Sequence, residues 1–181
     1  MDELGGLAAA AAGGDPSAAA ALVRATQSDV WRLCSALGDP GTADDLTQET
    51  YLRAFGALHR FEGRSSVRTW LLGIARRVCA DALRSRARRP VTLASADAGL
   101  EMPIEADGVA EGAVVRDLLE RLTPDRREAF VLTQLLGLSY AEAATAAQVP
   151  VGTIRSRVAR AREQLIAALE DDVDGPRFGH P

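Results

Sequence analysis

Apolar residues recur at helical spacing through most of this chain, and a large share of them are alanine. Leu22, Leu33 and Leu37 illustrate the spacing, and alanine runs occupy positions 8–12 and 18–21. Only 4% of the residues are aromatic. Alanine favours helices, whereas sheets are enriched in β-branched and aromatic residues. The pattern therefore predicts an all-α protein, and no apolar run is long enough to predict a membrane span.

The first half contains start and stop signals for three helices, so residues 17–90 are predicted to form one small helical domain. Asp15 and the proline after it begin the first helix, and Thr42 caps the second. A glycine- and serine-containing segment, 63–66, separates the second helix from the third. Residues 1–16 are rich in alanine and glycine and are predicted to be a flexible N-terminus.

The second half predicts another helical domain over residues 114–169. Thr123-Pro124 suits the start of a helix, and Ser139 with Glu142 forms a capping-box pattern for the next one. A short connection leads into a last helix from about Val151. The helix that begins at Ser139, this connection and the last helix together predict a helix-turn-helix. Residues 91–113 lose helical periodicity and are predicted to be an extended linker, and residues 170–181 a disordered tail.

Charge is strongly segregated along the chain, although the net charge is only −4. Residues 60–90 carry a net +7 and residues 121–165 a net +3, whereas the other segments are acidic. All 21 basic residues are arginine. Two basic segments indicate two phosphate-contacting surfaces, and the acidic remainder indicates a partner other than DNA. Ordinary solvated helix faces are the alternative explanation.

The last helix has the composition of a DNA-reading helix. With Ile154 facing inward, its arginine and small residues fall mostly on the outer side. Arginine can bind guanine bidentately, and small side chains allow close approach to the bases. Thr153 and Arg157 are better placed to hold phosphates. The alternative is an amphipathic helix whose arginines only face solvent. The candidate DNA contacts are Gly152, Thr153, Arg155, Ser156, Arg157, Ala159 and Arg160.

The third helix of the first domain places an aromatic side chain on a basic stripe. Trp70 shares a face with Arg77 and Arg84, and Phe61 precedes it by nine positions. An aromatic ring among arginines suits a nucleic-acid strand whose bases are unstacked. Trp70 could equally pack at the edge of the core. Asp81, within the stripe, could pair with a neighbouring arginine.

The second helix begins with an acidic edge, Asp44-Asp45-Leu46-Thr47-Gln48-Glu49. Since Leu46 faces the predicted core, the carboxylates are expected to be exposed. They are either a partner surface or ordinary acidic residues that complement a helix N-terminus.

Three segments resemble, in order, the extracytoplasmic-function (ECF) sigma factors, which are small two-domain promoter-recognition subunits of bacterial RNA polymerase. The segments are ADDLTQETYLRAFG at 43–56, the stretch from Phe61 to Pro90, and the stretch from Leu122 to Leu165. The resemblance covers most of residues 17–169. It implies that the first domain is sigma region 2, a helical bundle, and that the second is the helix-turn-helix of sigma region 4.

The resemblance also implies roles for particular residues. The acidic helix would dock on the clamp coiled coil of the largest polymerase subunit, and region 4 would meet the flap of the second-largest subunit. The last helix would read the −35 element. Many relatives have asparagine at position 77, so their −10 base preference does not transfer to this chain. The candidate polymerase contacts are Asp44, Asp45, Leu46, Gln48, Glu49 and Arg53. The candidates for binding and melting the −10 element are Phe61, Arg64, Ser65, Ser66, Arg68, Trp70, Arg76, Arg77, Asp81 and Arg84.

The function expected from these patterns is an alternative sigma factor that binds core RNA polymerase, recognises −10 and −35 elements and promotes DNA opening. The competing hypothesis is a helix-turn-helix regulator that binds DNA without joining polymerase. Enzymatic activity is not expected, because two histidines, His59 and His180, offer no metal-ligand or nucleophile cluster. No metal or cofactor is predicted.

Two further expectations concern the chain's surroundings. Cys34 and Cys79 are predicted to be small buried hydrophobic residues in a reducing compartment. The protein is expected in the bacterial cytoplasm, at the nucleoid when it is part of the holoenzyme. An anti-sigma factor is a further possible partner that the resemblance implies.

Overall fold

The prediction of an all-α fold is confirmed by a computed structural model that describes residues 3–39, 41–88 and 115–174. No strand occurs within those ranges. Residues 115–120 form helix α5. The other elements are α1 (Glu3–Ala12), α2 (Pro16–Leu37), α3 (Ala43–Ala57), a 3-10 turn (Leu58–Arg60), α4 (Val67–Arg88), α6 (Pro124–Phe130), a π turn (Val131–Leu135), α7 (Tyr140–Ala147) and α8 (Val151–Asp174).

Helices α2, α3 and α4 pack around a leucine- and valine-rich core. The Asp15 carboxylate accepts hydrogen bonds from the backbone N–H groups of the first turn of α2, and so begins that helix. Leu22, Leu33 and Leu71 are almost completely buried between the helices. The Tyr51 hydroxyl reaches into this core and lies 2.8 Å from the Thr26 hydroxyl. Burial of the ring raises the pKa of Tyr51, and this hydrogen bond partly offsets the cost of burial.

The N-terminal segment predicted to be flexible is instead largely helical. Helix α1 packs on α2 and also contacts α4 and the 3-10 turn. Ala8 is buried in this contact, and Leu4 and Leu7 pack partly against the core. Alanine has the strongest intrinsic helix propensity, and burial of one apolar face stabilises the helix further.

The C-terminal group consists of α5 to α8 and contains the predicted helix-turn-helix, formed by α7 and α8. The Ser139 hydroxyl accepts a hydrogen bond from the Glu142 N–H, and the Glu142 carboxylate accepts one from the Ser139 N–H. Gln148 ends α7 in the left-handed conformation, with φ of 58°. Helix α6 passes into the π turn, whereas the sequence predicted one helix to Leu136. Helix α8 continues to Asp174, into the predicted tail.

The two groups of helices pack against each other through α4 and α7. Gly73 of α4 lies at the closest approach, where a Cβ atom would meet the Ala146 carbonyl oxygen at 3.4 Å. The buried residues of both groups consequently form one continuous hydrophobic cluster. The predicted linker at residues 91–113 lies outside the described residues. No helix among the described residues is long and apolar enough to cross a membrane.

Candidate partner and nucleic-acid interfaces

Helix α3 presents the acidic edge predicted from the sequence. Asp45 and Gln48 are exposed, and Glu49 is partly exposed. The indole Nε1 of Trp31 on α2 donates a 2.9 Å hydrogen bond to Asp44, which fixes that carboxylate at the start of α3. Carboxylates in the first turn also complement the positive end of the helix dipole. The acidic edge is therefore both solvent-accessible and held in place.

The same face of α3 carries two exposed apolar side chains that the sequence analysis missed. Leu52 is 65% exposed and Phe55 is 37% exposed. With Asp45 and Gln48 they form a stripe at alternating spacings of three and four, here called the α3 stripe, which is the spacing with which one helix packs along another. Leu46, another candidate polymerase contact, is only 7% exposed and packs in the core, so it supports the surface from below.

A small cleft opens at the start of α4. Its aromatic walls are Phe61 and Trp70, whose ring centroids lie 5.0 Å apart with the planes tilted by 49°. The cleft has a volume of about 270 Å³ and is also lined by Arg60, Glu62, Arg64 and Ser65. Trp70 is half-buried and packs against the core, so its ring both supports the fold and faces the cleft. The packing of Trp70 at the edge of the core is therefore confirmed, and its contact with an unstacked strand stays a prediction.

Ser66, a predicted DNA contact, has a structural role at the start of α4. Its hydroxyl accepts a 3.1 Å hydrogen bond from the Thr69 N–H and lies 2.8 Å from the Thr69 hydroxyl. This arrangement satisfies a backbone donor that the first turn of the helix would otherwise leave unpaired. Gly63 takes a φ of 69° in the preceding loop, a left-handed conformation that glycine adopts at little cost.

The arginines of α4 fall into two groups. Arg77 and Arg84 are exposed, as a DNA-contacting residue must be. Arg68 and Arg76 instead contact the C-terminal helices. Arg68 bonds Asp29 at 2.6 Å and the Leu136 carbonyl oxygen at 2.6 Å.

Arg76 and Glu128 form the most enclosed ion pair of the contact between the two groups of helices. The Arg76 Nε atom lies 2.8 Å from Glu128 Oε2, and the two side chains are 23% and 13% exposed. Within the described structure, Glu128 Oε1 is buried with no hydrogen-bond partner. This burial raises the pKa of Glu128, although the nearby Arg76 charge opposes the shift. The ion pair with Arg76 therefore offsets only part of the cost of burying the charged form of Glu128.

The helix that carries Glu128 also neutralises an arginine of α8. Asp125, one turn earlier on α6, pairs with Arg157, which is 21% exposed. Arg157 was predicted to hold a DNA phosphate. In this arrangement its guanidinium is committed to the Asp125 carboxylate, so it is not available to DNA.

The outer face of α8 is otherwise open. Gly152, Arg155, Ser156 and Ala159 are exposed, and the side chain of Arg160 is 69% exposed. The side chain of Arg160 lies 3.8 Å from Glu163, which is a loose ion pair. Thr153 is partly buried at the start of the helix. These groups line one helix face and can approach base edges without rearrangement.

Asp81 lies between two arginines on the face where α3 and α4 meet. One carboxylate oxygen is 2.7 Å from Arg53, and the other is 2.6 Å from Arg84. Arg53 also pairs with Glu49 at 2.7 Å. The Arg53 guanidinium, with a smaller effect from Arg84, lowers the pKa of Asp81. Asp81 was predicted to contact DNA, and its carboxylate is already occupied by these arginines.

The described residues contain no group of histidine, cysteine and acidic side chains that could hold a metal ion. Cys34 and Cys79 are both free thiols and both buried, so their predicted burial is confirmed.

Two family models match the chain in the order of its two groups of helices. Sigma-70 region 2 matches residues 22–89, and sigma-70 region 4 matches residues 113–165. The ECF RNA polymerase sigma factor SigC of Mycobacterium tuberculosis is 54% identical over 174 residues, with 93% of each chain covered.

Two solved structures are also similar. CnrH, solved in complex with the cytosolic domain of CnrY, has a TM-score of 0.74 and 29% identity, with 92% of this chain and 96% of that chain covered. The sigma factor RpoE, solved in complex with the anti-sigma factor NepR from Bartonella quintana, has a TM-score of 0.61 and 29% identity, with 79% and 91% covered.

Proposed function

The chain belongs to the ECF sigma factors of the sigma-70 family, and from this premise we propose how its surfaces divide the work of transcription initiation. As a sigma factor it binds RNA polymerase and directs that enzyme to promoter DNA. We propose that α3 docks on the polymerase, that the cleft and α4 bind the −10 element, and that α8 binds the −35 element.

The α3 stripe supports the docking role. Leu52 stands exposed one turn after Gln48, Asp45 lies one turn before Gln48, and Phe55 extends the apolar surface by one further turn. Exposed apolar side chains lose unfavourable contact with water when a partner covers them, and carboxylates at the rim select a basic partner. The clamp coiled coil of the largest polymerase subunit is a helical partner of the kind that this spacing fits.

The aromatic cleft supports the −10 role. Phe61 and Trp70 offer ring faces on which an unpaired base can stack, and Arg60 and Arg64 supply positive charge for the backbone of that strand. A cleft of about 270 Å³ suits a single base better than a duplex. Binding of the unpaired form shifts the duplex towards opening without any chemical step by the sigma factor.

The open face of α8 supports the −35 role. Arg155 and Arg160 can contact guanine edges, Ala159 can contact a thymine methyl group, and Ser156 can act as donor or acceptor. The positive end of the helix dipole at the start of α8, near Gly152, favours a DNA phosphate there. This face needs no rearrangement of the helix to enter a major groove.

Promoter binding also requires the contact between the two groups of helices to open. Glu128 of α6 occupies Arg76, a candidate −10 contact, across the contact between the two groups, whereas the pair of Asp125 with Arg157 lies within the C-terminal group. A DNA phosphate can bind Arg76 only when Glu128 moves away. The separation of the two elements on a promoter is a further reason for the domains to part.

The observation that carries this proposal is the presence, in one chain, of the exposed α3 stripe and of an exposed helix-turn-helix. A regulator that binds DNA alone needs only the second. The test is run-off transcription with purified core polymerase and a cognate promoter. The wild-type protein is expected to give specific transcripts, and Asp45→Arg is expected to abolish them by reversing the charge of the docking surface.

The matched control is Glu120→Arg, which makes the same charge reversal at an exposed position of the C-terminal group. This variant is expected to transcribe like the wild type. Transcripts that persist with Asp45→Arg would show that α3 is not the docking surface. Specific DNA binding by a wild-type protein that never joins core polymerase would favour the competing regulator.

Three further expectations follow from the proposed role. The protein performs no chemistry itself. It works where bacterial polymerase and DNA are, in the cytoplasm and at the nucleoid. The structure of Bartonella RpoE with an anti-sigma factor supports a similar partner for this chain.

A further inference from the structure

The exposed surface where α3 meets α4 holds four side chains of alternating charge. Glu49 pairs with Arg53 on α3 at 2.7 Å, Arg53 pairs with Asp81 on α4 at 2.7 Å, and Asp81 pairs with Arg84 at 2.6 Å. The first two, Glu49 and Arg53, are candidate polymerase contacts, and the last two, Asp81 and Arg84, are candidate −10 contacts. A continuous path of ion pairs therefore joins the two proposed interfaces.

Asp81 is the member that joins the two helices. Its Oδ2 atom accepts from Arg53 Nη1 and its Oδ1 atom accepts from Arg84 Nη2, so each carboxylate oxygen already has a guanidinium donor. A carboxylate also repels DNA phosphates. Its position fits a role in holding the arginines better than a role in touching DNA.

The pairs are arranged so that a partner can disturb them. The side chains of Glu49, Arg53 and Asp81 are each 44% exposed, and that of Arg84 is 65% exposed. Exposed ion pairs of this kind are weak and easily exchanged for other charges. A charged group that binds Arg53 from outside changes how strongly Asp81 holds Arg84, because both arginines share one carboxylate.

We propose that Asp81 is a positioning residue that couples polymerase docking on α3 to promoter binding on α4. The proposal rests on the function proposed above and assigns a role within it to one residue. Asp81 orients Arg53 towards the docking face and Arg84 towards the −10 face. Since such coupling is reciprocal in binding free energy, engagement of either interface alters the affinity of the other.

The test measures affinity for −10 promoter DNA by holoenzyme assembled from core polymerase and full-length protein. Four proteins are compared: wild type, Arg53→Gln, Arg84→Gln and the double variant. The same four are then made in an Asp81→Asn background. With Asp81 present, the effects of the two arginine substitutions are expected to be non-additive by about two- to fivefold, the scale of an exposed ion pair. Without Asp81 they are expected to be additive.

Three controls separate positioning from general damage. Asp117→Asn removes a similar exposed acid, 2.9 Å from Arg121, and is expected to leave the non-additivity unchanged. Asp81→Glu keeps the charge and is expected to restore at least part of the non-additivity. Thermal unfolding of each variant shows whether the fold survives.

Each remaining outcome has a distinct meaning. Additive effects with Asp81 present would overturn the coupling proposal, as would equal non-additivity with and without Asp81. A wild-type protein that fails to join core polymerase would overturn the proposed function instead. The co-elution of wild-type protein and core polymerase is therefore measured first.

Discussion

The two surfaces that are proposed to bind DNA in this sigma factor are built differently. The N-terminal surface combines an aromatic cleft with arginines, two of which, Arg68 and Arg76, are occupied by the C-terminal helices. The C-terminal surface is one regular helix face with Arg155 and Arg160 exposed. A preformed helix face suits duplex DNA of fixed shape, whereas a cleft suits a base that has left the duplex. The surface proposed for the −35 element is thus largely open, whereas two arginines proposed for the −10 element are engaged by the C-terminal group.

The largest expected effect is on the N-terminal side of this comparison. Trp70→Ala removes a stacking surface worth about 1–3 kcal/mol per base, and it also leaves the Phe61 ring without its aromatic neighbour. Promoter opening by the holoenzyme should slow markedly, while binding to closed promoter DNA should change less. Base-reactivity footprinting over time measures opening directly.

Trp70→Phe is the control for that variant, because it keeps a ring at the edge of the core and in the cleft. Opening by this protein should fall between that of the wild type and that of Trp70→Ala. If Trp70→Ala opens promoters at the wild-type rate, the cleft does not bind an unpaired base, and the proposed difference between the two surfaces is wrong.

An effect of no greater size, confined to −35 recognition, is expected on the C-terminal side. Arg160→Ala removes one side chain from the open face of α8 and should cost about 1–3 kcal/mol of discrimination between −35 sequences. The rate of opening after binding should not change, because the cleft is intact. Competition binding of holoenzyme to matched and mismatched −35 duplexes measures this discrimination.

Arg162→Ala provides the matched control two positions away. The Arg162 guanidinium donates to the Gln134 side chain at 2.7 Å and so has a partner within its own domain. This variant should retain −35 discrimination. Equal losses in both variants would mean that α8 contributes general positive charge and does not read bases.

The smallest expected effect concerns the acid that covers Arg76. Because burial raises the pKa of Glu128 above its ordinary value of 4.5, the folded protein binds that proton more tightly than the unfolded chain. The resulting stabilisation is present at low pH and is lost as pH rises through the raised pKa. The free energy of unfolding of the wild type, relative to Glu128→Gln, should therefore fall as pH rises from 4.5 towards neutrality.

Urea unfolding at a series of pH values measures this difference, and Glu128→Gln lacks the titrating group. The effect is small because the positive charge of Arg76 opposes the burial term. If the free energy of unfolding of the wild type, relative to Glu128→Gln, increases with pH, the ion pair with Arg76 outweighs the cost of burial. The charge of Glu128 would then stabilise the contact between the two groups of helices.

Sequence periodicity was sufficient to predict most helices, although Thr42, which was predicted to cap α3, donates to the Asp39 carbonyl oxygen and makes no capping hydrogen bond. Asp15 begins α2 and Ser139 begins α7 through local hydrogen bonds that depend only on nearby residues. Helix α1 was missed because its alanines form a helix that depends on burial of Ala8 against other elements. The π turn was missed because its hydrogen-bond pattern has no distinctive composition.

The sites were predictable to a lesser degree. Helical spacing placed Arg160 and Trp70 on the outer sides of their helices, but spacing alone cannot show that Arg76 meets Glu128 across the contact between domains. The spacing from Asp45 to Phe55 does contain a signal for the α3 stripe. The apolar members of that stripe were overlooked because apolar residues are expected to be buried.

The contact between the two groups of helices is sensitive to side-chain volume at Gly73. A methyl group there would contact the Ala146 backbone at 3.4 Å, so a branched or longer side chain is expected to crowd the closed arrangement. Bulk at this single position acts as a wedge that disfavours closure without altering any charge. In this chain, side-chain volume at position 73 is therefore expected to shift the balance between closed and parted forms.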